Sequence, residues 1–217
     1  VPAEGAADAL IVTGRIDVHE DGSARATLAQ TYSGKLGIGM RNVFDKLAAG
    51  QRDDFVETRM LARNLPGARL RGVKVSDKAD TQKPLVVEVE AEVPQLLRPQ
   101  GDKVALRGIF PLHLSQLASL ATRQTPLLLG TASHFEIRIQ IVFPQSFRMP
   151  ADLPRGELKD GDRVVVVRDV VEGHALTLDR LIDIPAGRVQ PGKPYATFVK
   201  FVQEADQLTE RDVLLGR

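Results

Sequence analysis

Cysteine and tryptophan are both absent from the 217 residues, and aromatic residues of any kind make up only 5%. Without cysteine there are no disulfides, no thiolate metal sites and no cysteine nucleophile within this chain, while the compartment stays open because reducing and oxidising locations both tolerate zero. Without tryptophan and with few other rings, the exposed aromatic platforms that sugars stack on are scarce. An excess of either charge is missing too: Lys plus Arg is 29 against 28 for Asp plus Glu, a formal +1. No long-range field therefore favours nucleic acid, and the densest basic pair, Arg69 and Arg71, falls on one solvent face of a strand. The longest apolar runs, Leu127–Leu129 and Val164–Val167, are far shorter than the roughly 20 residues of a membrane-spanning helix. The first residues, Val1-Pro2-Ala3-Glu4, carry neither an initiator methionine nor a charged-then-apolar leader, and read as the start of an excised fragment.

Alternation is what the chain has in quantity. Leu10, Val12, Ile16 and Val18 share a face, and Ala24, Ala26 and Leu28 continue it after Asp21-Gly22, a pairing that predicts a hairpin with a tight turn. Leu36, Met40, Val43, Phe44 and Leu47 then recur at helical spacing, with Gly50 placed to take a left-handed cap. A second short helix is expected from Asp53-Asp54, where Asp54 and Glu57 have capping-box spacing, to Asn64-Leu65-Pro66-Gly67. Strands follow around Leu70–Val75, through Leu85, Val87, Val89, Ala91 and Val93 with Glu88, Glu90 and Glu92 between them, and more weakly over 103–110. Phe135, Ile137, Ile139, Ile141 and Phe143 alternate with Glu136, Arg138 and Gln140, predicting a half-buried antiparallel strand that Pro144 terminates. Val164–Val167 reads as a central strand, Leu176, Leu178, Ile182 and Ile184 as another, and Tyr195, Phe198, Phe201, Val202 and Ala205 as a C-terminal helix opening at Pro194.

Many short strands set off by Gly and Pro turns predict a mainly β, α+β chain: an antiparallel β-sandwich with two short helices after the first hairpin and a helix at the C-terminus. Alternation lapses over 111–126, so the chain reads either as one unit, 1–217, or as two sub-domains, 1–122 and 123–217.

Candidate chemistry is sparse. His19, His113, His134 and His174 sit at turns or strand edges without the paired spacing a metal centre needs. Asp152, Glu157, Asp160, Asp162 and Asp169 lie close together near turns, but not at the spacing of a calcium loop, and solvated turn acids are the commoner outcome. Ser33, Ser115 and Ser146 lack a nucleophile elbow. Gly34-Lys35-Leu36-Gly37-Ile38-Gly39 leads into a helix without the ending of a phosphate loop, which favours a bend requiring positive φ over anion binding. Arg123 and Arg180 are expected to pair with internal acids. No metal or other cofactor is called for.

Order along the chain is more specific than any one residue. The segments DVHEDGSARATLAQTYSG, GIGMRNVFDKL, LPGARLRGVKVSD, KPLVVEVEAEVP, RQTPLLL, IVFPQSFRMPADLP and PYATFVKFVQEADQLTERDVLL, in that order, resemble the C-terminal part of bacterial transglutaminase-like proteins. The resemblance spans nearly the whole chain and rests on Arg123, Pro126 and Leu127, on Pro144, on Leu153-Pro154, on Arg180, and on Pro194-Tyr195, Phe198 and Asp206. In such proteins a papain-like Cys-His-Asp domain sits among β-rich domains of unknown function. The resemblance implies an accessory role beside a catalytic domain outside this chain, no catalytic residue within it, structural roles for the motif residues, and export to the periplasm or beyond in Gram-negative bacteria. Its implied partner is the transglutaminase-like domain of the same polypeptide, with a protein or peptide as a further one; nucleic acid and membrane insertion are not expected. Two other readings stand beside it: an independent glycan- or peptide-binding β-sandwich module, and a hydrolase built on a carboxylate pair.

Overall fold

The structure is a computed structural model and describes residues 8–76 and 78–217; Val1–Glu4 lie outside the described residues. It is mainly β. A nine-stranded mixed sheet runs in the order β3 (Arg69–Val75), β4 (Leu85–Val93), β2 (Ala24–Tyr32), β1 (Ala9–Val18), β8 (Ser133–Val142), β12 (Ala175–Ile184), β10 (Arg163–Arg168), β9 (Arg155–Asp160), with β11 (Val170–Glu172) paired to β12. Two smaller antiparallel sheets join β5 (Leu97–Gln100), β6 (Lys103–Leu106) and β14 (Val213–Gly216), and β7 (Leu127–Leu129) with β13 (Gly187–Val189).

The predicted hairpin forms, pairing Val18 with Ala24 through Leu10 with Tyr32. Its turn is longer than a two-residue loop. Gly22 N donates to His19 O at 3.0 Å, and Gly22, at φ +84°, is the one turn residue in the left-handed region. Leu97 N donates to Gly22 O at 3.0 Å, and a Cβ on Gly22 would meet Leu97 at 3.3 Å.

Helix α1 covers Gly34–Lys46 and buries Phe44. Its entry is the bend expected of the glycine-rich stretch, with Gly34 at φ +57°. The helix break corrects the expectation. It lies at Leu47-Ala48, and Gly50 is inside α2 (Ala49–Phe55). Extended backbone at Ala48 starts the helix, and Gln51 supplies the cap: its Oε1 accepts from Ala48 N at 3.1 Å while its own N donates to Ala48 O at 2.9 Å. Asp54 and Glu57 make no cap; the Glu57 carboxylate accepts from Leu70 N at 2.7 Å. From α2 the helix widens into a π-helical turn, Val56–Leu61, and closes with the single turn α3, Ala62–Asn64.

Strand β8 runs antiparallel to β12, as expected, but parallel to β1 on its other side. Alternation reports which face of a strand is dry and carries no information on direction, so a parallel neighbour satisfies it equally well. Through this pairing the sheet joins strands from both halves of the chain. Val73, Val89, Leu28, Gly14, Ile139 and Leu178 form one row across its inner face. Gly14 belongs there because Leu28 occupies the space: a Cβ at 14 would sit 2.7 Å from Leu28 Cδ2 and 2.3 Å from Thr27 O.

The inner face carries the alternating apolar residues of β1, β2, β4, β8 and β12, and it is covered at both ends. Helices α1 and α2 with the π turn, and the β5–β6–β14 sheet, close over β1–β4 and β8. Helix α4 (Lys193–Glu210) lays Tyr195, Phe198, Phe201, Val202 and Ala205 against Val165, Val167, Ile182 and Ile184. The outer face is wet. It carries cross-strand pairs Arg25–Glu90, Arg71–Glu92 and Arg138–Asp179, each exposed and adding little to stability. No helix among the described residues is long and apolar enough to cross a membrane.

Candidate functional site

Between the two covers runs a strap, residues 107–126, which takes in the lapse in alternation over 111–126 and also the end of the strand expected over 103–110, since β6 stops at Leu106. After β6, Ile109 and Phe110 are buried, Phe110 and His113 take φ of +53°, and Leu114–Ala118 forms a 3-10 turn. Left-handed backbone at a phenylalanine costs on the order of 1 kcal/mol. It persists because both sides of Phe110 are held: its N donates to Asn64 O at 3.0 Å, and its carbonyl accepts from Arg180.

Of the residues on which the resemblance rests, Arg180, Tyr195 and Asp206 bond to this strap, and Arg123 and Pro126 lie within it. Arg180 stands on the inner, apolar face of β12, between Leu178 and Ile182, and is 4% exposed. Its Nη1 donates to Ile109 O and Phe110 O, both at 3.0 Å, and its Nη2 to Asp169 Oδ2 at 3.0 Å. Asp169 is fully buried, and burial pushes its carboxyl above the usual carboxylate range, an effect Arg180 offsets in part. The expected internal partner of Arg180 is thus Asp169.

Asp206, on α4, caps the 3-10 turn: its two carboxylate oxygens accept from Leu114 N at 2.7 Å and Ser115 N at 2.9 Å. Tyr195 donates its hydroxyl to Leu120 O at 2.6 Å. Arg123 departs from expectation. It forms no ion pair among the described residues; its Nε donates to Thr125 O at 3.3 Å and its guanidinium lies over the Tyr195 ring, 5.9 Å from the centroid. Leu127 opens β7 after exposed Pro126, Phe198 is buried under the Arg163 guanidinium at 5.1 Å, and exposed Pro194 stands in the first turn of α4, where its missing N–H costs nothing. Pro144, Leu153 and Pro154 lie elsewhere. Pro144 follows β8 and accepts from Phe147 N at 3.2 Å, while Leu153 and Pro154 are buried just ahead of β9.

The acids grouped near turns do not meet. Asp152 pairs with Arg211, Glu157 with Lys159, Asp160 with Arg163 and Asp169 with Arg180. Among the described residues no three His, Asp or Glu side chains gather as metal ligands. His134 is the histidine held by acids, with Nε2 3.0 Å from Glu136 and Nδ1 4.0 Å from Asp183, at the start of β8 between β1 and β12.

The strap also walls a pocket of about 300 Å³. Its floor is the inner face of β1, β2, β8 and β12; Phe55 and Met60 of the helical segment form the opposite wall, and Phe110 to Leu114 the third. Two polar side chains stand on that floor. Tyr32 donates its hydroxyl to Gln30 Oε1 at 2.5 Å, and burial pushes its phenol well above the ordinary tyrosine range, so it stays neutral. Gln30 is 3% exposed, and its Nε2 has no hydrogen-bond partner among the described residues. Arg59 and Arg63 line the same pocket and are exposed.

Periodicity showed the strap as a lapse over 111–126 and did not single out Gln30, although Gln30 left a trace. Gln30 and Arg180 each interrupt an otherwise apolar inward row, Ala24-Ala26-Leu28-Gln30-Tyr32 in β2 and Leu176-Leu178-Arg180-Ile182-Ile184 in β12. A polar residue on a dry face marks either a buried partner or a lined cavity. No protein-family model matches this chain, and no curated protein matches it either.

Proposed function

We propose that this chain is a non-catalytic β-rich accessory module that positions or regulates a transglutaminase-like, papain-like domain of the same polypeptide, in an exported, periplasmic or secreted setting. One observation carries the reading. The motif residues with the strongest chemistry, Arg180, Asp206 and Tyr195, all direct their polar atoms at the backbone of a single strap or at an internal acid. Residues that hold backbone in this way preserve a shape, which is what a family of accessory domains has in common, whereas a catalytic set leaves nucleophile, base and acceptor atoms turned toward a substrate.

The resemblance supplies the neighbour, since the Cys-His-Asp chemistry of such proteins needs a cysteine that this chain lacks. The reading is tested on the longer protein. The coding frame adjoining this chain is expected to encode a Cys-His-Asp domain, and deleting residues 1–217 from that protein is expected to lower the solubility, thermal stability or activity of the remainder. A neighbouring frame without such a domain, or a remainder indifferent on all three measures, would overturn it.

A further inference from the structure

We infer that the pocket under the strap is a binding site for a small amphipathic acid: an apolar body, one hydrogen-bond acceptor on it, and a carboxylate at the mouth. The inference does not rest on the accessory reading above.

Four features of the pocket specify this ligand. Its lining is dominated by apolar side chains, among them Leu10, Val12, Phe55, Phe110, Phe135 and Ile182. At about 300 Å³ it lies at the small end of ligand pockets, which run from roughly 300 to 1,000 Å³. The floor holds an amide donor, Gln30 Nε2, that is buried without a partner among the described residues, whereas buried polar groups in proteins are ordinarily hydrogen-bonded. Tyr32 fixes that amide by donating to its carbonyl end, leaving the N–H₂ end to the cavity lining. A ligand acceptor would complete it.

Charge at the mouth gives the sign. Arg59 and Arg63 are four residues apart on the wall formed by the helical segment, and neither forms an ion pair among the described residues. The rim acid, Glu136, is held by His134 Nε2 at 3.0 Å. A carboxylate at the opening therefore meets two free guanidinium groups, which favour it through charge-assisted hydrogen bonds. The π-helical turn Val56–Leu61 places Arg59 and Met60 along this wall, a distortion that recurs at functional sites.

N-octanoylglycine carries all three elements and is the probe, with its neutral glycinamide counterpart as control. Isothermal titration of residues 1–217 is expected to show saturable one-to-one binding of the acid, and about tenfold or weaker binding of the amide, the loss of one charge-assisted contact. The Arg59→Gln/Arg63→Gln variant changes only exposed side chains, so it keeps the fold; it is expected to bind the acid at least about tenfold more weakly and the amide unchanged. Gln30→Met is expected to weaken both probes, with circular dichroism checking the fold. Cosedimentation with phosphatidylglycerol vesicles separates a free acid from a membrane headgroup. The inference is overturned by the absence of saturable binding, by equal affinity in the double-arginine variant, or by binding to vesicles without binding to the free acid.

Discussion

Removing the Arg180 guanidinium tests the strap most directly. In Arg180→Met the carbonyls of Ile109 and Phe110 lose their donor and the fully buried Asp169 loses its counter-charge. Breaking a buried pair from one side costs about 3–5 kcal/mol, because the remaining charge is stranded in a poor solvent. Asp169→Leu strands the guanidinium instead and falls in the same range, about 3–5 kcal/mol. Removing both partners is a different perturbation. The double variant has no stranded charge and loses hydrogen bonds alone, chiefly those to the two carbonyls, so its cost is that of unsatisfied polar groups, about 1–3 kcal/mol each. Additive singles would reach about 6–10 kcal/mol, and the double variant should therefore be more stable than their sum. Thermal unfolding reads this as a fall of about 6–20 °C for each single variant, at about 2–4 °C per kcal/mol for a chain of this size.

Acid supplies a second arm. Burial raises the Asp169 carboxyl and Arg180 offsets part of that rise, so Arg180→Met lets it climb further. A raised acid favours the folded state fully below its unfolded pKa and loses that contribution as pH rises through its folded value. The gap between Arg180→Met and the wild type should accordingly narrow as pH falls from neutrality toward the carboxylate range, measured by urea unfolding. Single variants within about 1 kcal/mol of the wild type, a strictly additive double, or a gap that widens in acid would refute the account of the strap.

Three further outcomes follow from the same geometry. Asp206→Ala should cost about 1–3 kcal/mol by leaving Leu114 N and Ser115 N uncapped, and native-state hydrogen exchange should rise selectively over 112–118; uniform exchange would place the loss elsewhere. Gly14→Ala should destabilise by about 1–3 kcal/mol or more, since the new methyl would sit 2.3 Å from Thr27 O, and urea midpoints read the change. Tyr195→Phe leaves Tyr32 as the sole tyrosine of the two; because burial raises its phenol, its stabilising contribution is full below the ordinary tyrosine pKa and is lost as pH rises from there through the raised folded value. Phenolate absorbance in that variant should appear together with alkaline unfolding by circular dichroism, and appearance in a still-folded protein would show Tyr32 to be solvated.

Faces and elements were legible along the chain because they depend on neighbours two or four residues away. Val87, Val89 and Ala91 against Glu88, Glu90 and Glu92 disclose a half-dry strand, and Tyr195, Phe198 and Val202 a helix, whatever those elements meet. Arg180 was legible as a residue in need of an internal acid, while Gln30, a polar residue in the inward row of β2, was not picked out. Partnership was decided only in three dimensions. That β8 lies parallel to β1 across more than a hundred residues, that Arg180 reaches back to Ile109 and Asp206 back to Leu114, and that Phe110 tolerates left-handed backbone all depend on which buried groups must satisfy one another. A chain of residue types specifies each group's need for a partner, while only the packed sheet brings a particular donor within 3 Å of a particular acceptor.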